Sequence, residues 1–142
     1  MIIIQPGLLS DIETAAADAY PTESCGLLIG CGNAHDRLMI TPIQVSANQA
    51  ENNKQTSFEI DPQLRFDLMR ELSGGSERIV GHFHSHPNGP AEPSARDLEQ
   101  MYEPELVWFI TSVKKGRPEV TAAFGFNESA QQFAPLHIEQ TE

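Results

Sequence analysis

Gly81-His82-Phe83-His84-Ser85-His86-Pro87-Asn88-Gly89-Pro90-Ala91-Glu92-Pro93-Ser94-Ala95-Arg96-Asp97 decides how this chain folds and what it can do. Ile79 and Val80 lead into it as an apolar, buried strand. Residues two apart on a strand point the same way, with Cα atoms ~6–7 Å apart. His84 and His86 can therefore converge on one metal ion. Pro87 ends the strand, and Asn88, Gly89, Pro90 and Pro93 impose a rigid loop. That loop delivers Ser94 and Asp97 to the start of a helix. Two neutral imidazoles and one carboxylate form a three-ligand set suited to zinc, with the fourth position open.

Ser94-Ala95-Arg96-Asp97 is also a capping box, in which Ser94 caps the helix and Asp97 reaches back. The histidine pair, the proline stop and the Ser/Asp pair nevertheless share one window. Their spacing, His84-Ser85-His86-Pro87, six residues, Ser94, two residues, Asp97, resembles the JAMM (MPN+) metalloprotease motif His-x-His-Pro-x6-Ser-x2-Asp. That family also carries an upstream glutamate, and Glu23 in Pro21-Thr22-Glu23-Ser24-Cys25-Gly26 matches its Glu-x-Cys-Gly context.

The resemblance implies a single-domain α/β fold, a JAMM/MPN-like (cytidine-deaminase-like) mixed β-sheet flanked by helices. It implies Zn2+ held by His84, His86 and Asp97, Glu23 as general base and acid, and Ser94 as oxyanion stabiliser. The implied substrate is an amide after the flexible C-terminal tail of a ubiquitin-like or sulfur-carrier protein. Two competing readings are a non-catalytic MPN-type interaction module and a hydrolytic deaminase. The complete ligand set argues against the first. The missing His-x-Glu and Pro-Cys-x2-Cys signature argues against the second.

A chain of 142 residues suits one domain, 1–142, with one core. With 39% hydrophobic and 20% charged residues it has ordinary globular composition. Met1-Ile2-Ile3-Ile4 is too short for a signal peptide and lacks a basic leader, and no run reaches the ~20 apolar residues that span a bilayer. A cytoplasmic protein without membrane contact is expected. Nine Lys+Arg against twenty Asp+Glu give a net charge of −11, which repels phosphate backbones and argues against nucleic acid. Acidity serving solubility alone explains the charge equally well. Cys25 and Cys31 form neither a disulfide framework nor a Cys-x2-Cys zinc site, and Cys25 has the setting of a small buried thiol.

Along the chain, Ile2–Ile4 is a short strand and Leu8–Tyr20 an alanine-rich helix. Glu23–Gly30 is a central strand with Leu27-Leu28-Ile29 as its apolar run. From the residues alone, Glu23 belongs at that strand's solvated tip, because charge is seldom buried unpaired. The resemblance instead turns it toward the metal. Cys31–Asp36 is a turn with His35 in solvent, Arg37–Ser46 a strand bent at Pro42, and Ala47–Ser57 a polar loop that could border the site. Phe58 and Ile60 form a brief strand. Asp61-Pro62 starts a helix buried through Leu64, Leu68, Met69 and Leu72. The helix from Ser94 runs on to Tyr102. Leu106–Ile110 is a central strand with Trp108 in the core, Lys114–Pro118 a basic turn, and Val120–Phe126 and Gln131–Ile138 a last pair. His82 shares a face with His84 but is not assigned as a ligand, and His137 is structural.

Overall fold

A computed structural model describes residues 1–141. Among the described residues the elements run β1 (Ile2–Ile4), α1 (Pro6–Ala19), β2 (Cys25–Gly32), β3 (Leu38–Ser46), α2 (Pro62–Leu72), β4 (Arg78–Pro87), α3 (Ala95–Glu99), β5 (Val107–Lys114), β6 (Arg117–Asn127), β7 (Gln132–Leu136) and β8 (Ile138–Gln140). All strands join one mixed sheet in the order β7-β6-β5-β4-β2-β3-β1-β8. β4 and β5 are parallel, as are β1 with β3 and β1 with β8; the other neighbours are antiparallel. The expected α/β fold with a mixed sheet and flanking helices is what forms.

β7 and β8 stand at opposite ends of the strand order, yet only His137 separates them in sequence. The two edges must therefore approach each other, and the sheet nearly closes. Here the expected continuous strand Gln131–Ile138 is corrected. The chain leaves β6 after Leu136, and Ile138 takes up parallel register with Ile2 instead. The Ile2 N–H donates to the His137 carbonyl at 2.9 Å.

The sheet's middle strands are covered on both faces. β5 is buried from Val107 to Val113, as its continuous apolar run requires. Alternation sorts the two faces. Phe83 and Phe109 pair in register and join Leu28, Leu9 and Ile12 in the main core beneath α1. The even-numbered residues of β4 and β5, with His82 opposite Trp108, His84 opposite Ile110 and His86 opposite Ser112, occupy the other face. Gly26 is required by close approach: a Cβ there would lie 2.2 Å from the Phe83 ring and 2.4 Å from the Gln44 carbonyl. Fully burying each large apolar side chain of this core contributes ~1.5–3 kcal/mol.

Several expected boundaries move. α1 starts at Pro6, not Leu8, since proline fits the first helical position, where no N–H partner is needed. β2 runs on through Cys31 and Gly32, leaving Asn33–Asp36 as the turn. Phe58 and Ile60 form no strand; Ile60 makes a single bridge to Asn48. α2 has its Asp61 cap, with the carboxylate accepting from Gln63 N–H, but none of its residues is fully buried. Leu64, Leu68 and Leu72 are half-buried, whereas Met69 is 56% exposed. This helix packs chiefly against β4 alone, so its apolar stripe is narrower than expected. α3 ends at Glu99, short of the expected Tyr102, whose 77% exposed ring buries nothing that would carry the helix on. Lys115 and Gly116, both at positive φ (51° and 83°), turn β5 into β6 as the tight reversal expected of Lys114–Pro118.

Candidate active site

The site forms where β2 and β4 run antiparallel. Cys25 lies opposite His84, and Ser24 exchanges contacts with Ser85, so Glu23 falls on the same face as His84 and His86. The loop after β4 then returns Asp97 on the first turn of α3. Asn88, at a φ of 57°, makes the sharp exit after Pro87; its amide donates to Tyr20 Oη at 2.9 Å and its carbonyl accepts from Lys115 N–H at 3.0 Å.

His84, His86 and Asp97 converge. His84 Nε2 lies 3.1 Å from His86 Nε2 and 3.2 Å from Asp97 Oδ1, and His86 Nε2 lies 3.1 Å from Asp97 Oδ2. Ligands ~2.0–2.1 Å from a tetrahedral ion stand roughly 3.3 Å apart. The donor set is thus spaced to share one divalent ion, and the residues fit the metal expected of them. His86 Nδ1 lies 2.8 Å from the Pro90 carbonyl, which can only accept, so Nδ1 carries the proton and the Nε2 lone pair faces inward. His84 Nδ1 is buried without a partner.

Asp97 is held by a second role. Its carboxylate accepts the Ser94 N–H at 2.8 Å, while Ser94 Oγ accepts the Asp97 N–H at 3.0 Å. Asp97 therefore belongs both to the capping box and to the convergent cluster. Ser94 itself is exposed, with its O–H still available as a donor.

Charge within the cluster is finely divided. Burial works to raise the Asp97 pKa, but hydrogen bonds from His84 and His86 outweigh it and hold the carboxyl well below its usual range. Burial lowers the His84 pKa against its bonds to Asp97. For His86 burial is outweighed by Asp97 and the Pro90 carbonyl, and its pKa rises. A cation held between them would take the place of the proton on His86 Nε2.

Glu23 is only 4% exposed, which corrects the solvated strand tip expected from the residues alone. Its Oε1 is buried with no hydrogen-bond partner. Burial pushes its pKa from 4.5 up to about 8, with His86 pulling it down and Asp97 pushing it further up. A buried, unpartnered carboxylate is destabilising, and such groups gather where chemistry is done. A groove opens beside it between α1 and β3, lined in part by Thr22, Ser24 and Ala47.

Around these residues lie groups that no local motif identified. Phe58 stacks on the His84 ring with centroids 4.4 Å apart, and Trp108 meets its edge at 5.6 Å. His82 packs on Trp108 at 4.3 Å, its pKa lowered by burial to about 3, and stands outside the triad. Asn48, from the polar loop, donates to the Glu23 carbonyl at 3.1 Å. Cys25 is fully buried, its thiol pushed up to about 12 by burial, consistent with a packing role. His35 and His137 are exposed; His35 lies in the turn after β2, at the end of that strand away from Glu23, and His137 lies between the edge strands β7 and β8.

The chain is similar in sequence and in fold to known proteins. A desampylase of Pyrococcus furiosus is 32% identical over 114 residues, 80% of this chain and 75% of that protein. The CysO-cysteine peptidase of Mycobacterium tuberculosis is 22% identical over 138 residues, 97% of this chain and 91% of that protein. A solution structure of a Desulfitobacterium hafniense protein covers 100% of this chain and 94% of its own at a TM-score of 0.84 and 26% identity. No helix among the described residues is long and apolar enough to cross a membrane. A family model described as prokaryotic homologs of the JAB domain matches residues 6–125, from α1 through the His84, His86 and Asp97 cluster to β6, and this chain belongs to that family.

Proposed function

We propose that this chain, as one domain over 1–142, is a zinc-dependent isopeptidase or peptidase. It hydrolyses an amide after the C-terminal tail of a ubiquitin-like or sulfur-carrier protein. The observation that carries this reading is Glu23: a buried carboxylate with an unpartnered oxygen, on the face that bears the three ligand atoms. A purely structural site would have no use for it. His84, His86 and Asp97 would hold Zn2+. When bound there, zinc supplies an activated water at neutral pH and polarises the scissile carbonyl.

The chain's own residues do the rest. Glu23 is nearly dehydrated, and burial raises its pKa past neutrality to about 8. A cation held by the neighbouring residues would lower it again and leave the carboxylate ionised, able to take a proton from the attacking water and return it to the leaving amine. Ser94 keeps its oxygen on the Asp97 N–H and has its O–H free to donate to the developing oxyanion. His86, oriented through the Pro90 carbonyl, cannot turn its lone pair away. The substrate class is supported by the names of the relatives, a desampylase and a CysO-cysteine peptidase. The net charge of −11 disfavours nucleic acid as substrate.

The test is cleavage of a sulfur-carrier protein fused through its C-terminus to a peptide, read by mass spectrometry of both products. Cleavage at the junction that a chelator stops and zinc restores supports the proposal. A zinc-loaded chain that binds the carrier without cleaving it would instead make this an MPN-type interaction module.

A further inference from the structure

We propose that Asn48 and Ser85 are positioning residues for Glu23, gripping the Glu23–Ser24 peptide from its two ends and so aiming the carboxylate at the triad. The inference rests on Glu23 acting as the base. Four hydrogen bonds account for the backbone at this point. Glu23 N–H donates to the Lys54 carbonyl at 2.8 Å, and Ser85 N–H donates to the Ser24 carbonyl at 3.2 Å. The other two come from side chains and fall on a single peptide unit. Asn48 Nδ2 donates to the Glu23 carbonyl at 3.1 Å, and Ser24 N–H donates to Ser85 Oγ at 2.8 Å.

Position in the fold makes these two bonds matter. β2 begins only at Cys25, so Glu23 and Ser24 precede its ladder, and β3 ends opposite Cys25 at Ser46. No strand neighbour on that side fixes the peptide plane. The Glu23 side chain cannot fix itself either, because its Oε1 has no partner. Its direction is set by the backbone beneath it, and turning that peptide turns the Cα–Cβ bond with it.

Both grips are themselves rigid. Asn48 Nδ2 also donates to the Ser57 carbonyl at 3.0 Å, while its Oδ1 accepts from Ala50 N–H at 3.0 Å and Glu59 N–H at 3.1 Å. That uses both donors and both lone pairs of the amide, so its rotamer is determined. Aspartate would set a negative oxygen against two carbonyls. Ser85 is fully buried. It lies between the ligands His84 and His86 but points to the opposite face of β4, where its hydroxyl serves Ser24.

The experiment compares Ser85→Ala and Asn48→Asp, each alone and combined with Glu23→Gln, using the full chain and the carrier fusion as substrate. Misplacing a catalytic group by ~1 Å costs up to about 100-fold, so kcat should fall at least about tenfold in each single variant, with KM and zinc content unchanged. In the Glu23→Gln background the same substitutions should change kcat less than about twofold, because the group they aim is already gone. In the metal-free chain, the Ser24 amide should exchange with deuterium at least about tenfold faster in Ser85→Ala. Full kcat in both single variants, beside an inactive Glu23→Gln, would overturn the positioning role and leave Glu23 as base. An undiminished loss in the Glu23→Gln background would overturn it too, by assigning the effect to displaced histidines. An active Glu23→Gln variant would remove the base itself, and the proposal with it.

Discussion

The Pro90 carbonyl lies 2.8 Å from Nδ1 of His86, four residues before it, and so decides which nitrogen of that imidazole faces Asp97. A loop that looks like a connection between β4 and α3 is thereby part of the ligand's own chemistry. Neutral histidine offers one lone pair, and this bond keeps it on the nitrogen that faces Asp97. The same loop delivers Asp97 through a helix cap, so one residue serves both the cluster and the local backbone structure.

That double use of Asp97 can be separated by substitution. Asp97→Asn keeps an oxygen for the Ser94 N–H but loses the charge that attracts a cation. It should retain the fold and lose most bound zinc by elemental analysis. Asp97→Ala should lose the zinc and also be less stable to denaturant, by about 1 kcal/mol for the missing cap bond. Equal zinc in wild type and both variants would remove Asp97 from the ligand set.

Glu23→Gln preserves shape and a hydrogen-bonding oxygen but accepts no proton. Amide cleavage should drop on the order of 10²–10⁴-fold, while zinc content stays near that of wild type. Loss of zinc along with activity would make Glu23 a ligand. Ordinary turnover would make it a bystander.

The metal-free protein should reveal the same carboxyl through its stability. The folded-state pKa of Glu23 is raised from 4.5 to about 8, so the native state holds a proton that the unfolded chain releases. Stability from this group is complete below pH 4.5, falls as pH rises, and is lost above about 8. Denaturant titrations of chelated wild type and Glu23→Gln should therefore diverge across that window. The variant should end more stable by roughly 1–3 kcal/mol, the usual cost of an unsatisfied buried polar group. Added zinc should close the gap, because a nearby cation stabilises the ionised carboxylate.

Cys25 should behave as an inert thiol. Its pKa is pushed from 9.0 up to about 12 by burial, so its stabilising contribution is intact below pH 9 and disappears as pH climbs toward 12. Iodoacetamide at pH 8 should modify the half-buried Cys31 while sparing Cys25 until the chain is unfolded, as peptide mass mapping would show. Rapid labelling of native Cys25 would contradict its packing in the sheet.

Much of this molecule is readable along the chain because the governing interactions are local. The His84-Ser85-His86 alternation follows from strand geometry, the proline stop from a missing N–H, and the Ser94–Asp97 cap from one helical turn. The apolar run Val107–Ile110 could only lie in the middle of a sheet. Tertiary structure alone decided the rest. Glu23 sits 61 residues before His84, and its burial depends on β2 pairing beside β4, which no local pattern specifies. Asn48 and Ser85 reach Glu23 and Ser24 across 25 and 61 residues, so their partners could not be read from spacing. Met69 has helical periodicity toward a core, but α2 meets too little of the sheet to bury it. Ile138 continues the pattern of β7, yet pairs with Ile2 because the nearly closed sheet brings a second edge within one residue's reach. Periodicity states which side chains prefer burial; only the packed sheet determines where there is something to bury them against.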